Sequence, residues 1–204
     1  RRLVEVESPL DAEIRPLAPA LRPGEEAAVA VGALAFVDEL ASVLRRGYVV
    51  LIDYGSVASG RRANQRSADG DTRRTGDVHG YRRHTVLEDV LSKPGTADVT
   101  AGVDFATIEA RAAANGLVDH GPVSQRAALI ALGFGVWSQI QQERQSRLMA
   151  EGSGSHAVRI FQGRSRASLL VDHAALGSHW WLLLSTPSLP TPAWHRAASA
   201  DSSA

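Results

Sequence analysis

RRGYVVLIDYGS, residues 45–56, is the stretch whose reading decides the fold. Arg45 and Arg46 close a helical stretch, and Gly47 sits where a helix C-terminal glycine belongs. Tyr48–Asp53 is then apolar on successive residues, the pattern of a strand covered on both faces in a parallel α/β sheet. It exits abruptly through Asp53, Tyr54 and Gly55. Ligands of open α/β sheets sit outside the carboxyl ends of the strands, so these three residues are candidates to border a bound molecule. A carboxylate there accepts hydrogen bonds, and a glycine lets the backbone turn close to a ligand. The plainer alternative is that Asp53 caps its own turn.

Outward from this strand, Leu34, Val37, Leu40, Ala41 and Leu44 recur at helical spacing and predict a helix over 33–46. RLVEV near the start alternates like a half-buried strand, and Pro9, Pro16, Pro19 and Pro23 exclude a long element after it. Residues 55–80 are polar and carry glycines and an arginine cluster (Arg61, Arg62, Arg66, Arg73, Arg74, with Arg82 nearby), the composition of a long flexible loop. GYRRH (80–84) and the turn-ending LEDVLSKPG follow. ADVTAGVDF (97–105) reads as a strand, Phe105–Asn115 as a helix stopped at Gly116, and Ser124 as the N-cap of the next helix. Val136–Met149 continues as a helix that ends at GSGS, residues 152–155. His179–Ser185 is a closing strand, and residues 186–204, with three prolines and then small polar residues, read as a disordered tail. Residues 1–185 thus form one α/β unit.

Two groups of residues carry possible chemistry. Tyr81 and His84 are three apart, on one side of a helical turn but on opposite faces of a strand. His84 titrates near neutrality and could move a proton, although an exposed loop histidine is the commoner case. Asp98, Thr100 and Asp104 are separated by even numbers, which puts them on one face of a single strand. Carboxylates on one strand face must be paired, hydrogen-bonded or bathed by a cleft, or else the strand is half-exposed with that face in water.

Composition narrows the function. The 204 residues have a formal net charge of zero, so no global field points to nucleic acid. There is no cysteine, which excludes disulfides and fits a reducing compartment such as the cytoplasm. His79 and His84 lack a third metal ligand, so no metal is expected. Trp180–Leu184, the longest run of large apolar side chains, falls far short of the ~20 residues of a membrane helix. The glycines of LGFGVWS (132–138) follow a helix instead of a strand, which makes them a poor dinucleotide motif.

Taken together, LIDYG, GYRRH, KPGTADVTAGVDF and GPVSQRAALIALG resemble, in this order, the C-terminal half of the MidA family of S-adenosylmethionine-dependent methyltransferases. Residues 47–135 carry the match, and RLVEVESPLDAEI and LLVDHAALGSHWWLLLS agree more loosely. The chain departs from the family pattern at Gly102, where the family has histidine, and at Ser124, where it has threonine. The resemblance implies a partial Rossmann-like class I methyltransferase fold, a mixed sheet with an antiparallel last strand, and an N-terminal half, with the glycine-rich donor motif, lying before residue 1. Tyr48–Asp53 would be the fifth strand and Trp180–Leu184 the last.

It implies S-adenosyl-L-methionine as cofactor and a protein arginine side chain as acceptor, since the family's mitochondrial members methylate an arginine of a respiratory complex I subunit. Asp53, Tyr54 and Gly55 would border the donor. Asp53, Asp98 and Asp104 would pair with a guanidinium, Tyr81 and Gln125 would orient it, and His84 would receive a proton. A rival from another class is a non-enzymatic interaction or assembly module, which the loss of the family histidine at Gly102 would suit.

Overall fold

A computed structural model describes residues 8–9, 11–12, 14–15, 28–57, 65–66, 72–73, 78–83, 85–87 and 95–201. The expected RLVEV strand, most of the arginine-rich loop, residues 88–94 (EDVLSKP) and His84 lie outside the described residues. The chain divides into two compact units, one of Arg1–Arg45 with Tyr54–Leu117, the other of Arg46–Asp53 with Val118–Ala204.

In the first unit, helix α1 (Val31–Val43) buries Leu34 and Val37, and helix α2 (Phe105–Ala114) buries Phe105, Ile108 and Ala112. The i, i+3 and i, i+4 spacing sets each apolar stripe, and the two helices pack together. An exposed Arg111–Asp38 pair joins them, Nε–Oδ1 2.6 Å and Nη2–Oδ2 2.5 Å, with Asn115 Nδ2 also donating to Asp38 Oδ1. The Arg111 hydrogen bond, then that of Asn115, holds the Asp38 carboxyl below its usual range.

Between them lie short strands. After β1 (Tyr48–Asp53), β2 (Gly55–Ser56) runs parallel to β8 (Val103–Asp104). β3 (Gln65–Arg66) and β4 (Thr72–Arg73) form a small antiparallel pair inside the expected loop. β5 (Val78–Arg82) is the centre of a sheet flanked by β6 (Thr85–Leu87) and β7 (Asp98–Ala101).

The second unit is built on a three-stranded sheet in the order β1–β10–β9, where β10 is Trp180–Ser185 and β9 is Val118–Ser124. Both pairings are antiparallel, so β1 and β9 point the same way. β10 is thus antiparallel to both of its neighbours, and it is central in the order β1–β10–β9. Leu182, Leu183 and Leu184 are buried in it. β1 differs from expectation. Tyr48, Val50 and Ile52 alternate on one face and are exposed, so here the strand is not covered on both sides.

Helices α3 (Gln125–Ala131), α4 (Phe134–Ala150), α5 (Gly154–Ser168) and α6 (Ala193–Asp201) complete this unit. Ala127 and Ala128 of α3 pack with Val123 and with Ala198 of α6, against Trp181 and Trp194. Two expectations fail here. α1 ends at Val43 with Leu44 in extended conformation, and Gly47 is instead tied to Thr186, whose N–H donates to the Gly47 carbonyl at 3.0 Å. Residues 186–204 contain α6 where a disordered tail is read from composition. The prolines precede the helix, and the Pro192 carbonyl accepts from the N–H groups of His195 and Arg196, both at 3.1 Å.

Candidate functional site

The carboxyl ends of β1 and β9 lie in one row, with Asp53 opposite Trp180 and Trp180 opposite Ser124. Strand spacing puts Asp53 and Ser124 about 10 Å apart across β10. Ser124 caps α3, its hydroxyl accepting from Ala127 N–H at 3.2 Å. Gln125 follows at once and is buried. Its Nε2 donates to the carbonyls of Leu170 (3.1 Å) and Leu176 (3.0 Å), its Oε1 accepts from Trp181 Nε1 (3.1 Å), and its N–H donates to His179 O at 2.7 Å. Arg126 adds a bond to Val171 O. Gln125 thus fastens the segment from Leu169 to His179 to this end of the sheet.

In the first unit, Tyr54 O accepts from Val103 N–H at 3.0 Å, and Gly55 pairs with Val103. A Cβ on Gly55 would stand 1.9 Å from Val103 O, so only glycine permits the pairing. Asp98, Thr100 and Asp104 do not share one strand face. The chain leaves β7 after Ala101, and Asp104 pairs in a different sheet. Asp104 is the N-cap of α2, its carboxylate accepting from Ala106 N–H at 3.1 Å and from Thr107 Oγ1 at 2.7 Å. An aspartate before a helical run is also a capping signal, and the alternation argument overlooks it.

Tyr81 and Asp98 are brought together. They stand opposite one another across β5 and β7 and line a groove of about 700 Å³ with Arg82, Arg83, Gly95, Thr96 and Ala97. Tyr81 is on strand β5 and not in a helical turn, and Arg83 stands just past that strand with φ 50°; His84 lies outside the described residues. Arg82 and Arg83 also line this groove, and their signal in the sequence is the Arg-Arg dipeptide within GYRRH.

A buried network also escapes the sequence. His195 on α6 donates from Nε2 to the Gly121 carbonyl (2.9 Å), and His120 bonds Thr191 Oγ1 and Ser185 Oγ, each at 2.9 Å. Burial first, then the nearby His195, pushes the His120 imidazole below its usual pKa, against a smaller pull from Asp119. Ser185 pairs with Tyr48 and Val118, at the opposite end of the sheet from Asp53. The network secures α6 to β9. Among the described residues no cluster of metal-ligand side chains occurs, and no helix is long and apolar enough to cross a membrane.

Residues 2–123 match the family described as "Putative S-adenosyl-L-methionine-dependent methyltransferase". The chain is 29% identical over 140 residues to "Protein arginine methyltransferase NDUFAF7, mitochondrial" of Xenopus tropicalis, covering 68% of this chain and 29% of that protein. It is 42% identical over 66 residues to the Rattus norvegicus protein of the same name, 32% of this chain and 15% of that one. The chain thus spans less than a third of the curated relatives it matches. A Burkholderia thailandensis crystal structure bound to S-adenosyl-homocysteine is similar in fold, with TM-score 0.57 and 20% identity over 90% of this chain and 42% of that one. A second structure from that organism gives 0.56, also at 20% identity, over 82% of this chain and 40% of its own.

Proposed function

Because the chain belongs to the S-adenosyl-L-methionine-dependent methyltransferase family matched over residues 2–123, we propose that the whole protein methylates an arginine side chain of a protein substrate. The observation that carries the reading is the Tyr81–Asp98 pairing in an open groove, because a guanidinium needs a carboxylate partner beside a space large enough to enter. The arginine methyltransferase names of the frog and rat relatives support the same acceptor. In this reading β1 is the fifth strand of a Rossmann-like sheet and β10 its antiparallel last strand. The exposed apolar face of Tyr48, Val50 and Ile52 supports this reading, because a further layer of such a fold would cover it.

Bound S-adenosylmethionine would supply an electrophilic methyl group on a sulfonium. Asp53 and Tyr54, at the carboxyl end of β1, are the residues proposed to border it. Gly55 fits that role less well, because the space beside its Cα is filled by Val103. Asp98 accepts two N–H bonds from the guanidinium and fixes its plane, and the Tyr81 hydroxyl sets its rotation. A nitrogen that gains a methyl sheds a proton, and His84 is the residue proposed to receive it. Asp104 and Gln125 serve this reading at one remove, the first by holding α2 and the second by holding residues 169–179. Alignment of nucleophile and methyl is the main demand of such a displacement, which is why fixed supports matter. A protein acceptor leaves no part for nucleic acid, and a reducing compartment such as the cytoplasm suits the cysteine-free chain.

The test is incubation of the natural full-length protein with methyl-labelled S-adenosylmethionine and an undermethylated protein extract. Label recovered as methylarginine after hydrolysis, and lost in Asp98→Ala, supports the reading. Label confined to lipid, nucleic acid or small molecules, or unchanged in Asp98→Ala, refutes it.

A further inference from the structure

The groove that holds Tyr81 and Asp98 also holds Arg82 and Arg83, so its lining carries both signs of charge. Asp98 disfavours a plain anion such as phosphate, and the arginine pair disfavours a plain cation. A ligand with a cation and a carboxylate in fixed sequence satisfies both. Resting on the methyl-transfer reading, we infer that the groove selects an acceptor arginine flanked by an acidic residue, with Asp98 on the guanidinium and Arg82 and Arg83 on the flanking carboxylate.

The spacing agrees. Tyr81 is level with Asp98, and Arg83 lies two residues further along the same chain. Two residues span at most roughly 7 Å, so Arg83 lies within the reach of one or two residues of an extended peptide. The acid therefore belongs one or two positions from the arginine. Arg83 is also held at φ 50°, a conformation that a bulky side chain adopts rarely and at a cost. Gly or Asn would satisfy a mere hairpin better. A guanidinium kept there has a use at the groove, where its fork of donors matches a carboxylate bidentately. Arg82 and Arg83 are both exposed, so they are within reach of an incoming peptide.

The test uses the natural full-length protein and two host peptides with a central arginine, one with aspartate at the second position on each side and one with asparagine there. Binding is read by fluorescence anisotropy and transfer by labelled methyl. The aspartate peptide should show a Kd and a KM lower by about five- to tenfold at low salt, a preference that shrinks as salt rises. In the Arg82→Gln, Arg83→Asn double variant the ratio should fall to about one in both readouts; asparagine keeps the left-handed turn at position 83 accessible. Arg82→Glu should reverse the preference in favour of lysine-flanked peptides. Equal binding of the two peptides by the wild type, or a ratio that survives the double variant, overturns the inference. So does tighter binding of a phosphate-bearing oligonucleotide than of the acidic peptide. If no peptide is methylated while the anisotropy preference stands, the methyl-transfer reading fails and the charge selectivity of the groove survives it.

Discussion

Gln125→Ala tests whether Gln125 acts by holding structure or by touching substrate. The side chain is 8% exposed and makes three hydrogen bonds, to Leu170 O, Leu176 O and Trp181 Nε1. At about 1 kcal/mol net for each, with roughly another 1 kcal/mol for the stranded indole N–H, the loss is about 4 kcal/mol. For a chain of this size that corresponds to a fall in Tm of roughly 8–16 °C. Urea denaturation followed by tryptophan fluorescence measures it directly, since Trp181 is one of the partners. Gln125→Glu makes a sharper control. It keeps an acceptor for Trp181 but sets a carboxyl oxygen against two carbonyls, so burial and repulsion raise its pKa in the folded state. That variant should be closer to wild type at pH 4 than at pH 7, because stability held by a protonated acid is lost as pH rises through the raised pKa. An alanine variant within about 1 kcal/mol of wild type would refute the structural role. If methyl transfer vanished in that same variant, Gln125 would belong in the acceptor site itself.

Other perturbations have equally definite outcomes. Gly55→Ala should prevent β2 from pairing with β8, because the added carbon would lie 1.9 Å from Val103 O; soluble, cooperatively melting protein at wild-type Tm would contradict this. Asp104→Ala should cost about 1–2 kcal/mol through loss of the α2 cap, read as a lower urea midpoint at neutral pH, and Asp104→Asn should recover most of it. The folded pKa of His120 is depressed, so its unfolded form binds the proton more readily. Stability should be complete above about pH 6.5 and decline as pH falls from there through the folded pKa. His120→Gln should flatten that acid limb, and an unchanged limb would assign it to other groups.

Much of the fold is legible where local pattern and tertiary structure agree. Tyr48–Asp53, Phe105–Ala114, the Ser124 cap and Trp180–Ser185 all form as their own residues dictate. The failures have physical causes. A period-two pattern cannot show that the chain changes sheet at Gly102, and by itself it puts Asp98 and Asp104 on one face. α6 looks too small and polar to fold, because its hold comes from His195 reaching Gly121 and from Ala198 meeting α3, contacts remote in sequence. Tyr81 and Asp98 were identifiable as residue types, but their pairing follows from a register that no short motif encodes.

The central place of β10 has a consequence for how the protein is made. In the described sheet β1 and β9 never touch one another, and each is completed by the strand that is synthesised last. Gly47 and Thr186, which clasp the start of β1 to the end of β10, are 139 residues apart in the chain. At ribosomal speeds of about 5–20 residues per second, β1 leaves the tunnel roughly 7–28 s before that partner exists. During this interval the edge of YVVLID that faces β10 in the finished sheet is unpaired, and a β-prone segment with one charge and an open edge is the kind that nascent-chain chaperones bind. Refolding from denaturant should likewise be slow and concentration-sensitive, since distant ends must meet before the sheet gains any stability.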